Sequence, residues 1–496
     1  MPLTHIADLD PLARDLAERS LEWLDGHWDA SVGLFRMPHD QLYEDGQASV
    51  DVHLVRETAW YALGLLLRNR DGDLARAVQA LDAVLAYQFD APEYPYHGTW
   101  YRSPLEPPPP PNPVIWKDYD PNWREFIGTT LALMLIEYEA LLPTELVRRI
   151  DLALRRAIIG TLERNVPASY TNIALMTAFL LQFGAARFGK PDWTMVAERL
   201  AAEIAGRFRA NSTFDEYNSP TYYGIDLYAL ALWRSYAGLA LLRETGAEIE
   251  AALWRDIAQY YHAGMRNIAG PFDRSYGMDL RRYVACVGMW IWLATGYAHA
   301  PFPDLTASLE HGWDFAVAPV FALIGLRMPE EARPHFMAFQ GERQIERVIA
   351  NEPRRVATAW IGAKVILGGE DSGGSKRPDH QFHPATIHWL LENGEVGWIR
   401  LRHSVPVDVR AERNRLTITC AASGGSGQEF IFQIAAPQID LAALQLGRWD
   451  LPGLSVRVET NAGASVVSRA GELAELRYRV SDDAARGAIH FTLYTE

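Results

Sequence analysis

The sequence has little cysteine and no long uninterrupted apolar run. Its 496 residues include only two cysteines, Cys286 and Cys420. This number excludes a disulfide framework and a cysteine-based zinc site, and it fits a reducing compartment. No stretch of about 18 consecutive apolar residues occurs, so no membrane-spanning helix is expected. The N-terminal segment also lacks the charged-then-apolar pattern of a signal peptide, which predicts a cytoplasmic protein.

Positive charge is also scarce. Lys and Arg total 47 against 62 Asp and Glu, which gives a formal net charge of −15. A field of this sign repels nucleic acids and anionic membranes, so neither is expected as a partner. An acidic substrate stays compatible with the sequence, because a local basic cleft can override the net charge. Aromatic residues are plentiful (16 Trp, 21 Tyr and 18 Phe); most are explained as core, but their flat faces also suit sugar rings.

Residues 1–333 show helical periodicity of two alternating kinds. Some segments, such as 146–162 and 195–208, have one apolar stripe, whereas others, such as 172–188, are apolar nearly all round. The apolar segments recur at intervals of roughly 50–65 residues, which indicates repeated helical hairpins. Hairpins with one exposed and one buried helix close naturally into a double ring. The prediction is an (α/α) toroid, an incomplete barrel of hairpins, with an open solenoid as the alternative.

Residues 334–496 have a different pattern. Short segments rich in Val, Ile, Thr and aromatic residues alternate with Gly, Asn, Asp and Pro turns. This pattern predicts an antiparallel β-sandwich, and therefore an α+β multidomain chain in which the toroid comes first. The proline-rich segment Glu106–Pro113 is expected to be a surface loop.

A polar segment rich in aromatic residues precedes each of the apolar helices. These segments are residues 51–58, 118–126, 167–172, 214–226 and 272–283. If the inner helices run parallel, all five segments meet at one mouth of the toroid, where the positive helix ends also point. Each segment could instead supply helix N-caps only. Their recurrence, with tyrosines and arginines that caps do not need, predicts an active-site cleft.

Two of these segments carry a family resemblance. Residues 216–224, Glu-Tyr-Asn-Ser-Pro-Thr-Tyr-Tyr-Gly, resemble the segment around the catalytic tyrosine of heparinase II/III-like polysaccharide lyases. Ser169-Tyr-Thr-Asn172 is similar to the segment with that family's asparagine that neutralises the substrate. The order of toroid and β-sandwich is also that of this family and of the related chondroitin AC and alginate lyases. The sequence departs from the family at Tyr223, where a histidine is usual.

The resemblance implies cleavage of a uronic-acid-containing oligosaccharide or polysaccharide by β-elimination. In this reaction a base removes the C5 proton and an acid protonates the departing O4. Tyr222 is the implied base and a candidate acid, with Tyr276 as a reserve acid. Asn172, with Arg274 or His383, is expected to neutralise the carboxylate. Arg274 is also expected to lower the pKa of Tyr222.

Other residues are expected to support this chemistry. The family's β-domain histidine motif, usually a glycine-rich stretch with His and Asp, is replaced here by residues 373–389, which hold His380, His383 and His388. His383 is favoured, because Gln381 to Pro384 reads as a compact polar turn before a strand. Trp123 and Tyr223 are expected to stack on sugars, and Arg56, Arg124 and Arg281 to supply positive charge. Further candidates for substrate contacts are Glu57, Asn218 and Gln381.

Two other classes of function fit the same sequence. An inverting glycoside hydrolase needs two carboxylates across the scissile bond, and Glu57, Glu125, Asp226 and Asp279 all fall at the predicted mouth. A carbohydrate-binding protein without catalysis needs neither set. The sequence has no metal-binding motif such as HExxH or paired CxxC, so no metal or other cofactor is expected. A homo-oligomer is left open.

Overall fold

The computed structural model describes residues 3–39, 50–422, 427–480 and 487–496. The helices are α1 (Pro11–Asp25), α2 (Val55–Arg68), α3 (Asp73–Ala86), α4 (Trp123–Tyr138), α5 (Thr144–Arg164), α6 (Thr171–Phe188), α7 (Pro191–Asn211), α8 (Tyr222–Tyr236), α9 (Ala240–Tyr260), α10 (Cys286–Thr295), α11 (Ala318–Ile324) and α12 (Arg333–Met337). None of them is long and apolar enough to cross a membrane. The proline-rich segment is an irregular loop, as expected.

The helices form a closed double ring. Helices α2, α4, α6, α8 and α10 are buried along most of their lengths, whereas α3, α5, α7 and α9 bury one stripe. Each inner helix packs on the outer helix that follows it and on the next inner helix. The ring closes because α11 packs against α1 and α2. The toroid is therefore confirmed and the open solenoid is excluded.

The strands follow the toroid, apart from two small sheets within it. They are β1 (Trp28–Asp29), β2 (Leu34–His39), β3 (Val50–Leu54), β4 (Tyr261–His262), β5 (Asn267–Ile268), β6 (Arg343–Asn351), β7 (Arg354–Ile361), β8 (Val365–Asp371), β9 (Ala385–Leu390), β10 (Val396–His403), β11 (Asp408–Glu412), β12 (Arg415–Cys420), β13 (Glu429–Ala435), β14 (Leu444–Gln445), β15 (Arg448–Leu451), β16 (Leu454–Thr460), β17 (Ser465–Ala470), β18 (Leu473–Arg479) and β19 (Ile489–Thr495). All pairings between them are antiparallel.

The C-terminal strands form the predicted β-sandwich. An eight-stranded sheet has the order β17-β18-β13-β10-β9-β8-β7-β6, and a six-stranded sheet has the order β11-β12-β19-β16-β15-β14. One apolar core lies between the two sheets. On its other face, the larger sheet contributes residues such as Ala357, Ile361 and Val396 to the core of the toroid. The β-domain is therefore packed against the toroid through apolar contacts.

The inner helices begin without conventional caps. At α2, α4, α6, α8 and α10 the N-cap side chain makes no capping hydrogen bond. Other polar side chains of the preceding segments do reach the first turns: Ser219 Oγ accepts from the Tyr222 N–H at 3.2 Å, and Glu216 Oε2 accepts from the Asn172 N–H at 3.4 Å. Capping therefore explains part of the polar character of these segments. Residues 272–283 form a loop, and α10 starts at Cys286. The helix N-termini place partial positive charge at one mouth of the ring.

Candidate active site

A pocket of about 180 Å³ lies where the inner helices begin. All five inner helices contribute to its lining: Arg56 and Trp60 of α2, Trp123 and Phe126 of α4, Asn172 of α6, Tyr222 and Ile225 of α8, and Cys286 of α10. The other lining residues lie outside the α-helices; they are Arg102, Asp120, Asn122, Thr221, Tyr276, His311, Trp313 and Asp314. The predicted convergence of the helix-preceding segments is thus seen in the lining of one cavity. Its walls combine aromatic faces, amides, carboxylates and two arginines.

Tyr222 and Tyr276 form a hydrogen-bonded pair on this pocket. Their hydroxyl oxygens are 2.9 Å apart, and Arg274 Nη2 donates to the Tyr222 hydroxyl at 2.7 Å. The Arg274 guanidinium carbon also lies 3.9 Å from the centre of the Tyr222 ring. Behind Tyr276, the ring of His311 stacks at 4.5 Å between centroids. A phenolate on Tyr222 would therefore have two hydrogen-bond donors and one full positive charge beside it.

Burial outweighs Arg274 in setting the protonation of Tyr222. The pKa of the Tyr222 hydroxyl is raised well above 10, because burial and the neighbouring Tyr276 raise it more than Arg274 lowers it. Burial likewise raises the pKa of Tyr276. Arg274 does lower the pKa of Tyr222, as expected, but burial and Tyr276 outweigh it. Tyr222 is protonated at rest, and Arg274 limits the cost of ionising it.

Glu216 links Asn172 to Arg274. Asn172 Nδ2 donates to Glu216 Oε2 at 2.6 Å, and Arg274 Nη1 donates to Glu216 Oε1 at 2.7 Å. Asn172 is fully buried, and its Oδ1 has no hydrogen-bond partner among the described residues. Burial raises the pKa of the Glu216 carboxyl, although Arg274 opposes this. Glu216, which belongs to the family-like segment, was given no role from sequence and is the group that joins the predicted site residues.

The loop that carries Arg274 is held from both sides. From the toroid, Asn218 Nδ2 donates to the carbonyls of Ala269 and Pro271, both at 2.8 Å. From the β-domain, Gln381 Oε1 accepts from Arg274 Nε at 3.0 Å, and the Gln381 carbonyl accepts from the Ser275 backbone N–H at 2.9 Å. Gln381 and Asn218 were predicted to touch substrate; in the structure they hold the loop that presents Arg274 and Tyr276.

His383 lies behind the site and not in it. Its side chain is 2 % exposed, and its Nε2 lies 3.1 Å from the Ser275 carbonyl. Burial lowers its pKa to about 3, so the ring is neutral. His383 is not among the residues that line the pocket. The expected helper histidine is therefore a buried support for the loop. His388 is similarly buried on the Met278 carbonyl, and His380 is exposed.

Three other predicted substrate contacts point elsewhere. The Tyr223 hydroxyl lies in the core, 3.3 Å from both Thr213 Oγ1 and Asp256 Oδ2. Arg124 is buried and donates to the carbonyl oxygens of residues 95 and 97. Arg281 donates to the Gly394 carbonyl at 2.9 Å. None of the three lines the pocket. Tyr223 and Arg124 each follow a helical residue that does line it, and adjacent helical residues are rotated by about 100° and cannot face one cleft together. Arg281 lies in the loop before α10.

Arg56 and Trp123 do line the pocket as predicted. The Arg56 guanidinium lies 5.4 Å from the Trp123 ring and 4.6 Å from the Trp60 ring. Arg56 Nη2 pairs with Glu57 Oε1 at 2.5 Å and with Asp314 Oδ1 at 3.3 Å. Glu57 itself is buried beneath Arg56. It therefore orients the arginine and is not placed to contact a substrate.

The carboxylates expected for a hydrolase are not those of the pocket. Glu57, Glu125, Asp226 and Asp279 are all buried, and none lines the cavity. Two other carboxylates, Asp120 and Asp314, do line it, and burial raises the pKa of both.

The segment with His311, Trp313 and Asp314 lines the pocket but was not predicted from the sequence. It precedes α11 just as the five recognised segments precede their helices. However, α11 is only seven residues long, too short for its periodicity to be recognised. The available signal was composition, since His311-Gly-Trp-Asp-Phe is again a polar and aromatic segment before an apolar run.

The pH dependence of stability can test the buried acid Asp314. Burial, with Glu57 nearby, raises its pKa from 3.8 to about 7 in spite of Arg56. The folded state then holds this proton more tightly than the unfolded state, so the wild type loses stability as pH rises from about 4 to about 7. Asparagine does not titrate. The free energy of unfolding of Asp314→Asn, minus that of the wild type, should rise by up to about 4 kcal/mol across this window.

Urea unfolding at several pH values measures this difference. A difference that stays constant from about pH 4 to about pH 8 would contradict a raised pKa at Asp314.

Among the described residues, no group of three or more His, Cys, Asp or Glu side chains is arranged to hold a metal ion. The polar side chains that line the pocket include tyrosines, amides, carboxylates and arginines, with one histidine, one threonine and one cysteine.

Several solved structures share similarity with the chain. Heparinase III is 9 % identical, with 98 % of this chain and 85 % of that chain covered and a TM-score of 0.48. Heparan sulfate lyase HepC from Pedobacter heparinus is 11 % identical, with 98 % and 83 % covered and a TM-score of 0.32. Endoglucanase CelQ from Clostridium thermocellum is 9 % identical, with 98 % and 92 % covered and a TM-score of 0.28. Heparinase-type lyases, which the segments at Asn172 and Tyr222 resemble, are thus among these similar structures.

Family comparisons divide the chain as the fold does. No curated protein matches the sequence significantly. Residues 342–476 match a family described as a domain of unknown function (DUF8770), which corresponds to most of the β-domain. Residues 14–325 match a second family, which covers the toroid and all of the pocket-lining residues. The chain therefore belongs to the family described as domain of unknown function DUF8769.

Proposed function

We propose that this chain is a lyase that cleaves a uronic-acid-containing glycan by β-elimination, with Tyr222 as the proton-transfer residue. The observation that carries the proposal is the geometry at the Tyr222 hydroxyl, which contacts Arg274 at 2.7 Å and Tyr276 at 2.9 Å on the wall of the pocket. A tyrosine with a cation in direct contact is equipped to become a base. A tyrosine kept only for packing needs neither contact.

The proton balance of the reaction can be met by Tyr222 alone. As a phenolate, it takes the C5 proton of the uronate, and the C4–O bond breaks while a C4–C5 double bond forms. The same hydroxyl then returns a proton to O4, which leaves as an alcohol. Arg274 stabilises the phenolate before the C5 proton is taken. Tyr276 donates a hydrogen bond to the phenolate and is the second acid within reach.

The C5 proton becomes acidic enough only when the substrate carboxylate is neutralised. Arg274 does not line the pocket, and each of its three nitrogens already donates to Glu216, Gln381 or Tyr222, so it acts on Tyr222 and not on the carboxylate. Asn172 and Arg56 line the pocket and take that role. The N-terminal ends of the inner helices add positive potential at the same place. These local donors offset the negative charge of the whole chain.

Glu216 controls which way the Asn172 amide faces. In the structure Nδ2 donates to Glu216. When Glu216 is protonated, which its burial favours, its O–H donates to Asn172 Oδ1 and the amide turns. The Nδ2 group is then released to donate to the substrate carboxylate. The same rotation gives the buried Oδ1 the partner it lacks.

Two substitutions at Glu216 separate this role from simple packing. The side-chain amide introduced by Glu216→Gln could donate to Asn172 Oδ1 and accept from Arg274, as the protonated acid does, so this variant should keep activity close to that of the wild type. Glu216→Ala removes both contacts and should lower kcat by about a hundredfold. Steady-state kinetics on an acidic glycan, with thermal unfolding as the control for folding, measures both. Equal losses in the two variants would contradict the proposed role.

An inverting glycoside hydrolase is the second candidate, because Asp120 and Asp314 both line the pocket with raised pKa values. One protonated and one ionised carboxylate would serve as acid and base. The uronate lyase is favoured because the contacts of Tyr222, Arg274 and Tyr276 have no use in hydrolysis.

The nature of the product decides between these functions. A panel of polyuronates and their oligosaccharides should be incubated with the protein, and ultraviolet absorbance and NMR should follow the new chain end. A C4–C5 double bond at the non-reducing end supports the lyase. A hydrated end, lost in Asp120→Asn or Asp314→Asn but not in Tyr222→Phe, supports the hydrolase. Binding without turnover of any glycan would leave only a carbohydrate-binding protein.

A further inference from the structure

A second groove lies beside the active-site pocket, on the β-domain. It has a volume of about 630 Å³, and Tyr276 lines both cavities. The far side of the groove is formed by β10, by the turn after β13 and by the β17–β18 hairpin. A chain bound at Tyr222 and Tyr276 is therefore adjacent to a groove on the face of the larger sheet.

Trp398 and Arg400 form the floor of this groove. They are two residues apart on β10 and so share one face of the strand. Both are partly exposed, whereas the intervening Ile399 is buried in the sandwich core. The Arg400 guanidinium carbon lies 5.5 Å from the centre of the Trp398 ring. The groove thus presents an aromatic face and a cation side by side.

Arg400 is fixed by a buried polar chain that crosses three strands. Its Nε donates to Gln433 Oε1 of β13 at 2.9 Å. Gln433 Nε2 donates in turn to Glu475 Oε1 of β18 at 2.7 Å. Gln433 is 5 % exposed and Glu475 is 7 % exposed. Burying such groups is costly unless each is paired. These hydrogen bonds hold the Arg400 guanidinium towards the groove, an arrangement that packing of the sheet does not require.

Within the described part of the chain, the charge of Arg400 is not balanced by direct contact with a carboxylate. Its hydrogen bond goes to a neutral amide, and burial with Arg402 nearby lowers its pKa to about 10, although the more distant Glu310 and Glu475 oppose this. Arg469, on the opposite rim, donates to the Ile439 carbonyl at 3.0 Å, which is also neutral. A bound anion would satisfy both guanidiniums. The third arginine of the groove, Arg282, lies 3.8 Å from Asp279.

We infer that this groove is a subsite for a second anionic sugar residue of the glycan, stacked on Trp398 and held through its acid group by Arg400. The inference rests on the proposed function for the identity of the chain that extends from Tyr276. Carboxylate and sulfate both match the planar fork of arginine. The subsite therefore selects substrates that are longer than the unit held at the pocket, with an acidic group on the added residue.

Binding measurements test the subsite without relying on catalysis. The Tyr222→Phe protein is titrated calorimetrically with a disaccharide that carries a single acidic residue and with the corresponding hexasaccharide, in unsulfated and sulfated forms. Adding Arg400→Gln should weaken binding of the hexasaccharide by about tenfold, since one charged hydrogen bond is lost, and should leave the disaccharide unaffected. The form that loses more affinity identifies the acid group.

Arg402→Gln is the matched control, because Arg402 lies on the same strand, is exposed and does not line the groove. It should leave both affinities unchanged. Equal effects of Arg400→Gln and Arg402→Gln, or an equal loss on the disaccharide, would overturn the inference. If the hexasaccharide binds through Arg400 but the wild type forms no unsaturated product, the proposed function fails while the subsite stands. Arg469→Gln provides a second variant if Arg400→Gln does not fold.

Discussion

Tyr222→Phe should lower the rate of unsaturated product formation by about a thousandfold, since the reaction loses its proposed base at C5 and the first of its two proposed acids at O4. The ring remains, so stacking on Arg274 and the shape of the pocket are kept. Substrate affinity should change little, because the hydroxyl acts on the transition state and not on the bound ground state. Single-turnover absorbance measurements with excess enzyme detect the residual rate.

The adjacent residue offers a matched control. Tyr223→Phe also removes one phenolic oxygen from α8, but that oxygen lies beside Thr213 and Asp256 in the core. It should lower the melting temperature and leave kcat close to that of the wild type. Full activity of Tyr222→Phe would exclude Tyr222 as base. Equal losses in both variants would mean that the damage arises from packing and not from proton transfer.

Arg274→Met should lower kcat by about a hundredfold to a thousandfold and shift the pH–rate profile to higher pH. Arg274 is the neighbour that lowers the pKa of Tyr222, so its loss leaves a smaller phenolate fraction at any given pH. For the wild type we also expect kcat/KM to increase from neutral to alkaline pH, because burial keeps Tyr222 protonated at rest. Initial rates across the pH range measure both effects.

Arg281→Met controls for loss of positive charge on the same loop. Arg281 contacts the Gly394 carbonyl and does not line the pocket, so its removal should not move the pH–rate profile. A loss of rate in Arg274→Met without an alkaline shift would contradict action through Tyr222. Arg274→Lys keeps the charge but not the fork of donors. It should therefore recover part of the pH profile and less of the rate.

The fold could be predicted from the periodicity of apolar residues, because the burial of each helix determines that periodicity. Fully apolar helices such as α6 can only be inner helices, and amphipathic ones such as α5 only outer helices. The site was predicted where one segment contributes one side chain, as with Asn172 and Tyr222. The sequence did not show that Tyr223 and Arg124 face away from the pocket, because it does not record how each helix is rotated about its axis. The burial of His383 behind the site could not be predicted either, because its hydrogen-bond partner Ser275 lies over a hundred positions away in the sequence.

The contacts that hold the loop around Arg274 have a consequence for recombination between related sequences and for protein engineering. Its contacts come from both the toroid and the β-domain, and the neighbouring Asp273 pairs with Arg355 at 2.5 Å and Lys376 at 3.1 Å. Neither half can thus be exchanged between relatives as a self-sufficient module. A chimaera would have to bring the loop together with its partners in β7 and in residues 376–383. Recombination within this protein should succeed only when the loop and its partners in the β-domain come from the same parent.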